Sequence, residues 1–262
     1  MPRAHRHYIP GYVWHIPHRC HKREFLLKFA RDRRRWTEWL FEARKRFGLI
    51  ILNYMVTSNH IHLLIVDGGA QDTLPRSIQL IAGRTGREYN RRKNRRGAFW
   101  EDRYHATAID GDDHLVQCMV YIDTNMVRAG VVEEPGQWPF CGYSEIQNPK
   151  QRYRIIDYDK LMELFRQTNM IELQDIFQER VEEALNCHKL ERDSKWTESI
   201  ALGGEEFVED TKRKLGFRGR GRRVVGNEGS YQLREPEVAY TCDFHTENDV
   251  LRLENSYSWD NI

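Results

Sequence analysis

No unbroken apolar run in the chain is long enough to cross a bilayer. The opening MPRAHRHYIP has none of the apolar core that a secretory signal carries, so a cytoplasmic protein with no membrane partner is expected. Cysteine is scarce. Five residues (Cys20, Cys118, Cys141, Cys187, Cys242) lie far apart with no CxxC pair, which excludes a disulfide framework and a cysteine-rich zinc site and fits a reducing compartment. The phosphate-cradling GxxxxGK[ST] loop is missing, so no nucleotide cofactor and no attached helicase are expected. No internal repeat of solenoid length occurs. What is present is ordinary for a globular protein: 262 residues, 40% hydrophobic and 31% charged.

The net charge of +2 conceals a strong asymmetry. Residues 1–100 hold 21 Lys and Arg against 7 Asp and Glu, while residues 101–150 hold 3 against 9 and residues 151–262 hold 17 against 23. A basic first segment interleaved with Trp, Tyr and Phe is the electrostatic footprint of a nucleic-acid binder, although basic runs are also often plain solvated helix faces.

Gly11–Ile16 reads as a strand stopped by Pro17. Residues 24–47 carry helical spacing of Phe25, Leu26, Phe29, Trp36, Trp39, Leu40 and Phe41, with Gly48 as the stop. LIILNYMVT (49–57) and HIHLLIV (60–66) read as a hairpin across Ser58-Asn59. A helix is expected from Thr73-Leu-Pro75 to about Arg92, a basic loop over 91–97, a strand over 104–109, and a helix from the capping residues 110–113 to Gly130. The first six elements give the order βαββαβ, which predicts a ferredoxin-like α+β core: an antiparallel sheet with helices on one face. Helices over 159–168, 172–188 and 203–215 predict a helical C-terminal extension. The expected domains are therefore 1–150 as the catalytic unit, 151–225 as the helical extension and 226–262 as a polar, flexible tail.

Two features carry chemistry. In the β-run His60-Ile61-His62, alternation puts both imidazoles on one face, roughly 7 Å apart at Cα, close enough to converge on a divalent ion. A second pair, His5 and His7, has a charged centre and no strand around it; it reads as a tail. Along the helix 112–129, Leu115, Met119, Ile122 and Met126 make an apolar stripe, and Gln117, Tyr121, Asn125 and Arg128 make a polar one. A phenol, an amide and a guanidinium on one edge supply a nucleophile, a metal ligand and a phosphate contact. Taken by itself, the helix favours a plainer reading, in which Tyr121 is an amphipathic boundary residue with its hydroxyl at the surface.

Together these segments resemble the HUH single-strand transposases, and more closely the REP-associated tyrosine transposases. The resemblance runs through Gly11-Tyr-Val-Trp-His-Ile16, Asn59-His-Ile-His-Leu-Leu64, Phe99-Trp-Glu-Asp-Arg-Tyr104, Tyr121-Ile-Asp-Thr-Asn-Met-Val-Arg-Ala-Gly130 and Trp138-Pro-Phe-Cys-Gly-Tyr-Ser144, covering about residues 8–146. Gly203-Gly-Glu-Glu-Phe207 matches more weakly a segment that follows the catalytic domain in some relatives. Ser58, Met126 and His105 depart from residues common in the family, and none of these departures removes a reacting group.

The resemblance implies that His60, His62 and Asn125 hold Mg or Mn, that Tyr121 is the nucleophile, and that the partner is single-stranded or hairpin DNA. Arg91, Arg92, Lys93, Arg95, Arg96, Arg103, His105 and Arg128 are candidate DNA contacts. Monomer and homodimer both remain open. A replication-initiator nuclease, a transposase-derived DNA-binding protein without strand transfer and a plain metal hydrolase are the competing readings; the last would not need Tyr121.

Overall fold

The structure is a computed structural model, and it describes residues 9–69, 72–187, 191–227 and 229–235. His5, His7, Cys242 and the tail beyond residue 235 lie outside them. Strand β1 (Val13–Arg19) leads to α1 (Ala30–Phe47), the hairpin β2 (Ile50–Val56) and β3 (His60–Val66), α2 (Thr73–Arg92) and β4 (Thr107–Ile109). These strands stand in the order β2-β3-β1-β4, with every neighbouring pair antiparallel. This is the ferredoxin-like core that the order βαββαβ requires.

The expected strand over 104–109 begins at Thr107 and the expected helix to Gly130 breaks at Thr124; two further boundaries move, each for a physical reason. Strand β1 passes through Pro17 instead of stopping there. The N–H and C=O of one strand residue point the same way, and the Pro17 carbonyl accepts from the His105 N–H at 3.1 Å. The missing N–H therefore faces the β4 side, where the β1–β4 ladder has already ended at His15, and the β3 ladder loses nothing. Helix α1 begins at Ala30 rather than near Glu24, because the preceding segment is tied elsewhere: Leu27 N–H donates to the Ser58 carbonyl and His21 N–H to the Phe99 carbonyl. Gly48 ends α1 at φ +66° with its N–H on the Arg44 carbonyl, in the left-handed cap that glycine supplies without strain.

Helices α1 and α2 lie on one face of the sheet, joined by Arg35 and Trp39 of α1 on Glu88 of α2. His18 of β1 points to that face, where its ring stacks on Trp100 and the Trp100 indole donates to the Ala82 carbonyl of α2. His15, three residues earlier, points to the opposite face. That face is covered by α3 (Asp112–Asp123) and α4 (Asn125–Arg128), which break at Thr124. The expected apolar stripe is fully used, with Leu115, Met119, Ile122 and Met126 all buried. The Asn53 amide of β2 donates to the Asp123 carboxylate at 2.9 Å and pins the end of α3 to the sheet. Asp110 does not cap α3. One of its oxygens accepts the Gly111 N–H and the other the Gly204 N–H at 2.9 Å, so it ties β4 to the C-terminal segment.

Beyond the core come α5 (Gly142–Gln147), α6 (Tyr158–Leu164), α7 (Met170–Asn186), α8 (Lys195–Glu198), β5 (Ala201–Gly203), α9 (Glu205–Lys214), β6 (Arg223–Asn227) and β7 (Ser230–Arg234). The expected helices are there, and strands accompany them. β5 pairs in parallel with β4, and β7 and β6 follow, making one seven-stranded sheet of order β2-β3-β1-β4-β5-β7-β6. Among the described residues, no helix is long and apolar enough to cross a membrane.

Candidate active site

Strand β3 delivers His60 and His62 to the face covered by α3, as alternation requires. The His60 Nδ1 lies 2.9 Å from Thr57 Oγ1 and 2.7 Å from Asn59 Oδ1, which orients its ring from the hairpin turn. His62 is fully buried. Its Nδ1 lies 2.8 Å from the His15 Nε2 and its Nε2 3.1 Å from the Asn125 amide nitrogen. The rings of His60 and His62 stand 5.0 Å apart, edge to face.

Burial is the first cause that keeps these imidazoles neutral. It lowers His60 to about 4, helped by Arg19, Arg128 and Arg192, and holds His62 well below the usual histidine value, helped by His60 and His15. Neutral imidazole is the ligating form.

Tyr121 is delivered by the last turn of α3. Its ring lies 5.8 Å from that of His62 and 6.2 Å from that of His15, edge to face in both cases. The Arg128 guanidinium sits 4.2 Å above the tyrosine ring, and it donates to the Tyr121 carbonyl and to Thr124 Oγ1, both at 2.8 Å. Trp196 of α8 stacks on the tyrosine ring at 5.7 Å. Burial raises the Tyr121 hydroxyl above the ordinary phenol value, with Arg128 and Arg192 opposing, so the phenol is protonated at neutral pH.

His60, His62, Asn125 and Tyr121 line one cavity of about 510 Å³, together with Arg103, His105 and Arg128. One chain gathers the whole set. His105 reaches the cavity with its Nε2 2.8 Å from the Ser199 carbonyl. The basic loop is not there. Arg91 and Arg92 line a separate groove between α1 and α2, on the other face of the sheet. Arg92 pairs with Asp32, and Arg95 is occupied by the Ala98 carbonyl and by Glu24. Lys93 and Arg96 are exposed.

Sequence reasoning missed His15, Trp196, Arg19, Arg23 and Arg192. His15 stood in a quoted strand, but the register that sets it against β3 is not written in its neighbours. Trp196 and Arg192 carry no local signal, since a pairing of distant strands brings them in.

No group of three or more His, Cys, Asp or Glu side chains able to hold a metal occurs among the described residues. The donors here are two imidazoles and a carboxamide, and they suit a divalent ion. Both rings are neutral, the His60 Nδ1 is already satisfied by its turn, and the His62 Nε2 points at an amide that also carries an oxygen.

Residues 10–125 match the family model described as Transposase IS200 like. Among solved structures, the REP-associated tyrosine transposase bound to a REP hairpin is 19% identical, with a TM-score of 0.45 over 59% of this chain and 90% of that one. A second, described as a transposase from Deinococcus radiodurans R1, is 17% identical, with a TM-score of 0.33 over 47% of this chain and 96% of that one. No curated protein matches the chain. The segment similar to the IS200-like transposase family is the one that holds the histidine pair, the tyrosine and the asparagine.

Proposed function

We propose that the protein is a metal-dependent single-strand DNA endonuclease and transposase that cuts and rejoins DNA through a 5′-phosphotyrosine. The observation that carries this reading is the meeting of Tyr121 with His60, His62 and Asn125 in a single cavity bordered by arginines. His60, His62 and Asn125 would hold Mg or Mn. Bound there, the ion supplies Lewis-acid polarisation of a non-bridging phosphate oxygen.

The chain's own residues do the rest. The Tyr121 oxygen attacks phosphorus and loses its proton, the bond from phosphorus to the 3′ oxygen breaks, and that oxygen leaves as a 3′-hydroxyl. The phosphotyrosine keeps the bond energy for rejoining, so no nucleotide is consumed. Arg128, stacked on the tyrosine ring, lies where it can neutralise charge on the phosphate and favour the phenolate. The resemblance of the sequence motifs makes single-stranded or hairpin DNA the substrate. Arg103, His105 and Arg128 would contact it at the cavity, and the arginines of the 91–96 loop would contact backbone further away.

The test is incubation with Mn and a labelled single-stranded hairpin, followed by denaturing electrophoresis. A covalent adduct is expected from the native chain and none from Tyr121→Phe. Binding without cleavage by the native chain would leave the DNA-binding alternative standing. Equal cleavage by both proteins would make it a hydrolase.

A further inference from the structure

His62 reaches into the cavity with one ring nitrogen and back into the protein with the other. Behind it stands His15, fully buried, its ring 5.0 Å from that of His62 and nearly parallel to it at 7°. His15 takes no part in the cavity lining. Its Nδ1 lies 2.9 Å from the carbonyl oxygen of Trp196, and its Nε2 lies 2.8 Å from the His62 Nδ1.

The partners fix every hydrogen in this chain. A carbonyl only accepts, so the His15 Nδ1 must carry the proton and donate it. A buried neutral imidazole carries one such proton, so the His15 Nε2 is a lone pair and can only accept. The His62 Nδ1 must then be the donor, which leaves a lone pair on the His62 Nε2. The Asn125 amide nitrogen, 3.1 Å from that Nε2, is a donor and agrees with this assignment.

Resting on the metal-site reading given above, we propose that His15 is a positioning residue: it locks His62 in the Nδ1–H tautomer through a hydrogen-bonded chain anchored on the Trp196 carbonyl, so that the His62 Nε2 lone pair faces the ion site. A neutral histidine without such a partner exchanges between its two tautomers, and the Nε2–H form has no Nε2 lone pair to offer an ion on that side. Metal-bound histidines generally donate their second nitrogen to an oxygen acceptor, which fixes the ring and raises its basicity. Here that acceptor is a second imidazole, and the oxygen lies one residue further back, on a segment some 130 residues after the histidine pair in sequence.

The test reads the tautomer directly in metal-free protein, from long-range proton–nitrogen correlation spectra of ¹⁵N-histidine-labelled chain, with His62→Ala identifying the His62 signals. The native chain is expected to show a protonated Nδ1 and an unprotonated Nε2 at His62. His15→Leu is expected to give a tautomer mixture and to weaken Mn binding, followed by electron paramagnetic resonance, by about 10–100-fold. His15→Gln, whose side-chain oxygen can accept from the His62 Nδ1, is expected to restore both.

A native spectrum with Nε2–H at His62 would overturn the proposal, and so would His15→Leu binding Mn like the native chain. Should His15→Leu fail to fold, the native spectrum and the His15→Gln variant still decide. If His62→Ala binds Mn as well as the native chain, the metal-site reading itself fails, an outcome distinct from failure of the His15 assignment.

Discussion

At the scale of single residues, the clearest contrast is among the cysteines. Cys20, Cys118 and Cys141 are buried and Cys187 is exposed. Burial is the first cause that raises Cys20 to about 12 and Cys141 to about 11, and it pushes Cys118 well up too. Since the thiolate is the reactive form, a raised value leaves almost none at pH 8. Alkylation of the native protein at that pH, read by peptide mass mapping, should label Cys187 and leave Cys20, Cys118 and Cys141 until denaturant is added. Early labelling of Cys141 would contradict its burial.

Gly142 offers a second single-residue check. A Cβ there would run into the Asn53 side chain and approach the Tyr54 backbone nitrogen at 3.1 Å. Gly142→Ala should therefore cost about 1–3 kcal/mol, as overpacking does, seen as a lower midpoint in chemical denaturation. An unchanged midpoint would show that Asn53 moves aside freely.

The same residues show what a sequence can reveal. His60 and His62 were legible because a period of two in an apolar strand settles which way they face. Tyr121 and Asn125 fall on two helices broken at Thr124, yet both line the cavity, so the four-residue spacing still places them on one side. His15 was not legible, because its role depends on pairing with a strand some 45 residues away, and single-strand patterns carry no register.

At the scale of elements, the last turn of α3 is held from several sides: by Asn53 on Asp123, by Arg128 on the Tyr121 carbonyl, and by the Trp196 ring. This explains why the polar edge of that helix runs from exposed Gln117 to buried Tyr121. The phenol lies under a cover that its own helix does not provide, and the boundary position suggested by the helix alone gives way. Trp196→Ala should expose the phenol and weaken the burial that raises it. The Tyr121 titration, followed by ultraviolet difference spectra against Tyr121→Phe, should move down toward the ordinary phenol value. No movement would mean that other groups supply the burial.

Glu145 of α5 plays a purely architectural part. It is buried and accepts the Ile155 and Ile156 N–H groups at 2.6 and 3.0 Å, with Lys150 at 3.1 Å. Glu145→Ala would strand two backbone donors at about 1–3 kcal/mol each. Hydrogen exchange should then speed up at residues 155 and 156 first.

At the scale of the whole molecule, arginines line both the cavity and a separate groove on the opposite face of the sheet. The groove between α1 and α2 is lined by Arg31, Arg34, Arg35, Arg91 and Arg92, yet Arg35 is held by Glu88 and Glu38 and Arg92 by Asp32. The basic run read from composition is thus partly spent inside the fold, a distinction that counting charges cannot make. Arg31 and Arg91 are exposed. Replacing both by Ala should lower the slope of log affinity for hairpin DNA against log salt by about 1 to 2, measured by fluorescence anisotropy. An unchanged slope would remove that face from DNA contact.

The strands of the C-terminal segment escaped the sequence reading for a related reason. β5 is three residues long and gains its place only by pairing in parallel with β4. Short strands without alternation look like loops until their partner is known.

That parallel pairing also sets an order of events in the life of the polypeptide. Chains emerge from the ribosome N-terminus first, so His60, His62 and Tyr121 of the cavity are synthesised well before the peptide bond whose oxygen holds His15. A nascent or truncated copy that stops short of residue 196 carries His60, His62, Tyr121 and Asn125 but lacks the carbonyl that backs His15 and the ring that stacks on Tyr121. Completion of the pocket is thereby tied to completion of translation through the first strand that follows the catalytic core.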